Sequence, residues 1–151
     1  MKKLILSAVL LVTAALSAQT DSQTRYTSDT RQYYVWSEAS NSYIMKENEF
    51  ENSVIDIREI GSRSNGYISI SLVDDGIARL YHGSITAFSV NAKNEPTWQM
   101  RSKTLKSKLT FNPDDHTFTY VYEADEKRYN KIFIFKLRPE TNEDKAENDA
   151  R

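Results

Sequence analysis

The sequence predicts an all-β domain, an antiparallel meander of about eight strands forming a small barrel or a two-layer sandwich. Three observations carry this. Between residues 33 and 137 the chain is rich in Tyr, Phe, Ile, Val, Thr and Ser, the residues that suit a pleated, half-buried surface. Turn-forming clusters interrupt it at short intervals, at Asn41, Gly61 to Gly66, Asp74 to Gly76, Asn91 to Pro96, Asn112 to Asp115 and Ala124 to Lys127. No stretch of this body holds a sustained 3.6-residue apolar period, so no helix is available to cross between parallel strands.

The strands are expected at 33–38, 42–47, 53–60, 66–73, 77–90, 97–111, 116–123 and 129–137. The segment 46–52, KENEFEN, could hold one helical turn. In 67–83, Ile68, Ile70 and Leu72 alternate with Tyr67, Ser69 and Ser71, so one face is apolar. Two hairpin registers compete for this segment. A two-residue Asp75-Gly76 turn pairs Leu72 with Arg79 and places a guanidinium on the apolar face. A three-residue loop, Asp74-Asp75-Gly76, pairs Ile70 with Leu80 and Ile68 with His82, and keeps each face consistent. The second register is therefore expected, with both aspartates solvated at the tip and His82 on the core face. Gly83 is expected to mark a bulge.

In 97–111 the apolar parity of Trp98 and Met100 gives way to that of Leu105, Leu109 and Phe111. A bulge near 103–104 would explain the change and would put Arg101, Lys103, Lys106 and Lys108 on one outward face. The strand 129–137 is apolar on both parities from Ile132 to Phe135, as expected of a strand covered on both sides.

The ends read differently. Lys2 and Lys3 precede an apolar run from Leu4 to Leu16 and the small residues Ser17 and Ala18, the layout of a secretory signal peptide cleaved after Ala18. The expected organisation is a signal peptide at 1–18, a flexible lead at 19–32, the β-domain at 33–137 and a disordered charged tail at 138–151. The chain is expected to be secreted or periplasmic, with no membrane span once the signal is cleaved.

Composition excludes several kinds of chemistry. There are 20 basic and 21 acidic residues, a net charge of −1, which becomes −3 when Lys2 and Lys3 are removed. That balance argues against a dedicated nucleic-acid binder. Without cysteine there is no thiol catalysis, no thiolate metal site and no disulfide. Four glycines make neither a dinucleotide fingerprint nor a P-loop. His82 and His116 lack metal-ligand spacing, and no Gly-x-Ser-x-Gly elbow singles out a serine. No cofactor or metal is implied. The expected function is that of a non-catalytic module binding a small molecule or other ligand, with His82, Tyr120, Tyr122 and Trp98 lining the site. A protein-interaction or cell-surface module using Arg101, Lys103, Lys106 and Lys108 is the alternative. A hydrolase using His82 or His116 ranks last.

Overall fold

The computed structural model describes residues 21–103, 105–125 and 128–139. Its strands are β1 (Ser22–Ser37), β2 (Ser42–Glu49), β3 (Ser53–Glu59), β4 (Gly66–Asp74), β5 (Ile77–Val90), β6 (Pro96–Ser102), β7 (Leu105–Asn112), β8 (Thr117–Asp125) and β9 (Arg128–Leu137). All pairings are antiparallel, in the order β2-β1-β3-β4-β5-β6-β7-β8-β9, and β1 also pairs with β9. Strands β1 and β3 to β9 therefore close an eight-stranded barrel, and β2 is an extra strand. The barrel alternative is the one realised.

Residues 22–32, expected as a mobile lead, are the first half of β1. Ser22 to Ser28 pair with β3; from Ser28 onward β9 takes the other edge, and from Arg31 β2 replaces β3. Few of these residues are apolar, so hydrophobic periodicity does not reveal them; pairing with distant strands holds them in place. A register shift between Ser28 and Thr30 leaves Asp29 bulged. The extra residue restores the inward parity, so Ser28 and Arg31 are both buried. The proposed helical turn at 46–52 is also absent, since β2 runs through Glu49. The signal peptide and most of the charged tail lie outside the described residues. The tail's first residue, Arg138, donates its N–H to the Thr27 carbonyl.

The expected single strand at 97–111 is a hairpin, β6 and β7, with Trp98 opposite Leu109 and Met100 opposite Ser107. A hairpin turn inverts parity as well as a bulge does, and this turn lacks Gly, Pro, Asn or Asp. Lys103 adopts a positive φ of 51° instead. The bulge in β5 falls between Ile85 and Ala87, not at Gly83.

The core is built from the inward residues of every barrel wall, among them Ile55, Ile57, Ile68, Ile70, Leu72, Leu109, Phe118, Phe133 and Phe135. One end is sealed. Trp98 donates its indole N–H to Glu59 at 2.9 Å. Arg63, in the loop after β3, pairs with the same carboxylate at 3.0 Å and lies 4.0 Å from the Phe88 ring centroid and 5.1 Å from that of Trp98.

Candidate functional site

Among the described residues the opposite end is open, and the β4–β5 hairpin explains why. Leu72 lies opposite Arg79, Ile70 opposite Tyr81, and Asp74 opposite Ile77. This is the two-residue turn, with Asp75 and Gly76 at φ 52° and 71°, the left-handed pair that a type I′ hairpin requires. The expected three-residue loop is overturned. Its argument was that an arginine cannot sit on an apolar face. At the barrel mouth that face is no longer core, and Arg79 there pairs with Asp74 at 2.6 Å. Asp75 is at the tip as expected, but Asp74 points inward.

The register places His82 opposite Ser69, turned outward and exposed, and brings Tyr81 inward in its place. Strand β6 meets β5 only from Ser84 to Val90. Ile77 to Gly83 therefore rise above the β6–β7 hairpin, paired with β4 alone among the described residues. The result is a notch in the barrel wall with a volume of about 240 Å³. One side is β5, with Leu80, Tyr81 and His82; the floor is Ser102, Leu105 and Ser107; the far side is β8, with Tyr120 and Tyr122.

The tyrosines form one cluster. The Tyr81 ring lies 5.5 Å from Tyr120, 6.2 Å from Tyr122 and 5.7 Å from Phe133, all tilted or edge-on. Tyr33 stacks on Phe133 at 5.0 Å, with the Lys131 ammonium 5.4 Å from its own centroid. Burial pushes the Tyr120 phenol up to about 12, with the Ser107 hydrogen bond acting in the opposite direction. Burial, and then the Asp74 charge, raise Tyr81 and Tyr33 as well. These phenols stay neutral at physiological pH. They offer hydroxyl donors and acceptors and aromatic faces.

Three of the four expected ligand-lining residues, His82, Tyr120 and Tyr122, meet in the notch. His82 arrives there from the outer face rather than from the core. Trp98 does not, because it plugs the sealed end. Tyr81, Ser107 and Leu105 were missed, and Tyr81 would have been found had the Asp-Gly turn signal outweighed the charge on Arg79. Arg101, Lys106 and Lys108 sit on the outward parity of β6 and β7, with Lys103 at the turn between them. His116 is at the barrel's other end, in the β7–β8 turn at φ 51°, where its carbonyl accepts from Leu137. The two histidines are thus separated by the length of the barrel. Among the described residues no cluster of three His, Asp or Glu side chains could hold a metal ion. No described helix is long and apolar enough to cross a membrane.

Fold and site together define a closed antiparallel meander barrel, sealed at one end and notched at the other. Comparison with protein-family models, curated proteins and solved structures gave no match.

Proposed function

We propose that the chain is an exported, non-catalytic module that binds a ligand in the notch. One observation carries this reading: Tyr81, Tyr120, Tyr122 and Ser107 converge on an opening at the end of an apolar core cluster. Concave sites with aromatic walls and a few convergent polar groups are where small groups bind. An apolar cavity of about 150 Å³ accepts benzene, so 240 Å³ has room for one substituted ring. The neutral phenols favour a ligand that is uncharged where it enters. Export rests on Lys2, Lys3 and the apolar run that follows them. The non-catalytic reading rests on the sequence, in which His82 and His116 lack metal-ligand spacing and no nucleophile elbow singles out a serine.

Native mass spectrometry of gently purified protein tests it. A discrete adduct that is lost on denaturation, and that is missing from Tyr122→Ala, is the expected result. An adduct retained by Tyr122→Ala, or none from the protein's own host, overturns the assignment to the notch. The interaction-module alternative draws on the outward placement of Arg101, Lys106 and Lys108. Partner binding through them would be lost on charge reversal.

A further inference from the structure

We propose that the notch recognises an extended peptide, which adds as a strand to the open edge of β5 at Ala78, Leu80 and His82, seats one aromatic side chain among Tyr81, Tyr120 and Tyr122, and turns acidic residues outward toward Arg101 and Lys103. The inference rests on the notch being the binding site and names the class of ligand it takes.

The edge supplies the first argument. In a two-residue hairpin the pair closing the turn exchanges hydrogen bonds, and bonded pairs then alternate along the ladder. The closing pair is Asp74 and Ile77, so Arg79 and Tyr81 bond to β4. Ala78, Leu80 and His82 consequently direct their N–H and C=O groups toward the side that β6 does not reach. Open edges are normally protected by charges, proline or bulges. The free edge of β2 follows that rule, with Lys46 and Glu47 and a register shift between Tyr33 and Tyr34. The β5 edge does not. Its one charged side chain, Arg79, is paired with Asp74, and it leaves Ile77 58% and Leu80 62% exposed.

The pocket supplies the second argument. Strand addition takes affinity from main-chain hydrogen bonds and specificity from pockets for alternate side chains. Here a pocket of one ring's size lies beside the unpaired backbone, bordered by Leu80 and Leu105. The Tyr81 ring is tilted 50° to Tyr120 and 73° to Tyr122, the edge-and-face geometry that aromatic partners prefer. Charge supplies the third. No carboxylate is among the described residues that line the notch, and the hairpin forming its floor carries exposed Arg101 and Lys103.

The test uses isotope-labelled exported protein and a blocked hexapeptide of alternating glutamate and tyrosine, with tyrosine amide and a lysine–tyrosine hexapeptide as comparators. Binding of the glutamate–tyrosine peptide is expected to slow amide exchange at Ala78, Leu80 and His82 while leaving Arg79 and Tyr81 unchanged. Ala78→Pro removes one open donor without touching the pocket and should weaken binding roughly five- to tenfold. Tyr122→Ala should abolish it, and the lysine peptide should bind more weakly. If Ala78→Pro does not fold, the exchange pattern of the unmodified protein decides. Absence of peptide binding overturns the proposal. So does binding that leaves the three amides unprotected. Equal affinity for tyrosine amide also overturns it, while leaving the notch as a small-molecule site. Binding of the peptide or of tyrosine amide that Tyr122→Ala leaves unchanged removes the notch reading itself.

Discussion

Asp74 and Arg79 form an ion pair of 2.6 Å across the β4–β5 turn, on the inward face at the barrel mouth. The pair lets an arginine occupy a core-parity position, and it sets the electrostatics of the tyrosine cluster. After burial, the Asp74 charge is the next cause that raises both Tyr33 and Tyr81. Asp74→Asn should therefore lower the titration of both phenols, as read from ring-carbon shifts against pH. Titration curves that do not move would remove Asp74 as a cause. The stability change should stay below about 1 kcal/mol, because the pair is partly solvated.

Arg31 is fully buried in the barrel wall and ion-paired with Glu49; it also donates to the Ser53 hydroxyl and to the Val73 carbonyl. It lies where the partner of β1 changes from β3 to β2. Arg31→Met leaves the half-buried carboxylate without its counter-ion and should cost about 3 kcal/mol in urea unfolding at neutral pH. A loss under 1 kcal/mol would show that β2 is held by its ladder alone.

Glu49 gives the fold a pH dependence. Burial raises its carboxyl above 4.5, with Arg31 acting the other way. A raised folded value means that the native state holds the proton more tightly than the unfolded chain does. The resulting stabilisation is present below pH 4.5 and is lost as pH rises through the folded value. Unfolding free energies of the parent minus Glu49→Gln should therefore fall as pH rises from 4 toward neutrality. A flat or rising difference contradicts the assignment.

The sealed end should be more sensitive at Glu59 than at Arg63. Arg63 is half-exposed and contributes cation–π contact to Phe88 and Trp98, so Arg63→Ala should cost about 1 kcal/mol. Glu59→Ala additionally strands the buried Trp98 indole N–H and should cost about 2 kcal/mol. Tryptophan fluorescence during denaturant unfolding measures both, and the reverse order would overturn this account of the plug.

Two glycines separate conformational strain from steric conflict. Gly76 has a φ of 71° and open space around a would-be Cβ, so Gly76→Ala should cost about 1 kcal/mol through strain alone. At Gly66 a Cβ would meet the Arg58 carbonyl oxygen at 1.9 Å, with φ at 130°. Gly66→Ala should cost more than about 3 kcal/mol. Similar losses at the two sites, in thermal unfolding, would contradict this.

Most strands were legible because their alternation is local. Ile68, Ile70 and Leu72 in β4 and Phe118, Tyr120 and Tyr122 in β8 declare an inward face within a few residues, and the Asn and Gly clusters mark where the chain turns. The first half of β1 was not legible, because Thr24, Ser28 and Arg31 look like solvent-facing residues until β3, β9 and β2 pair with them. The β6–β7 turn was missed for lack of any turn residue. The site was half legible: the tyrosines of β8 were visible as a stripe, and Tyr81 was hidden by a one-residue choice of register.

By itself the sequence determined the class of fold, the antiparallel order and the inward parity of most strands, since each follows from residue chemistry read along one strand. Tertiary structure alone decided that the meander closes through β1 and β9, because closure depends on pairing between distant segments that alternation does not encode. It also decided that the inward face near Asp74 and Arg79 is a mouth rather than a core. The same parity meets apolar side chains in the middle of a barrel and water at its rim, and only the stagger of the strands says where one gives way to the other.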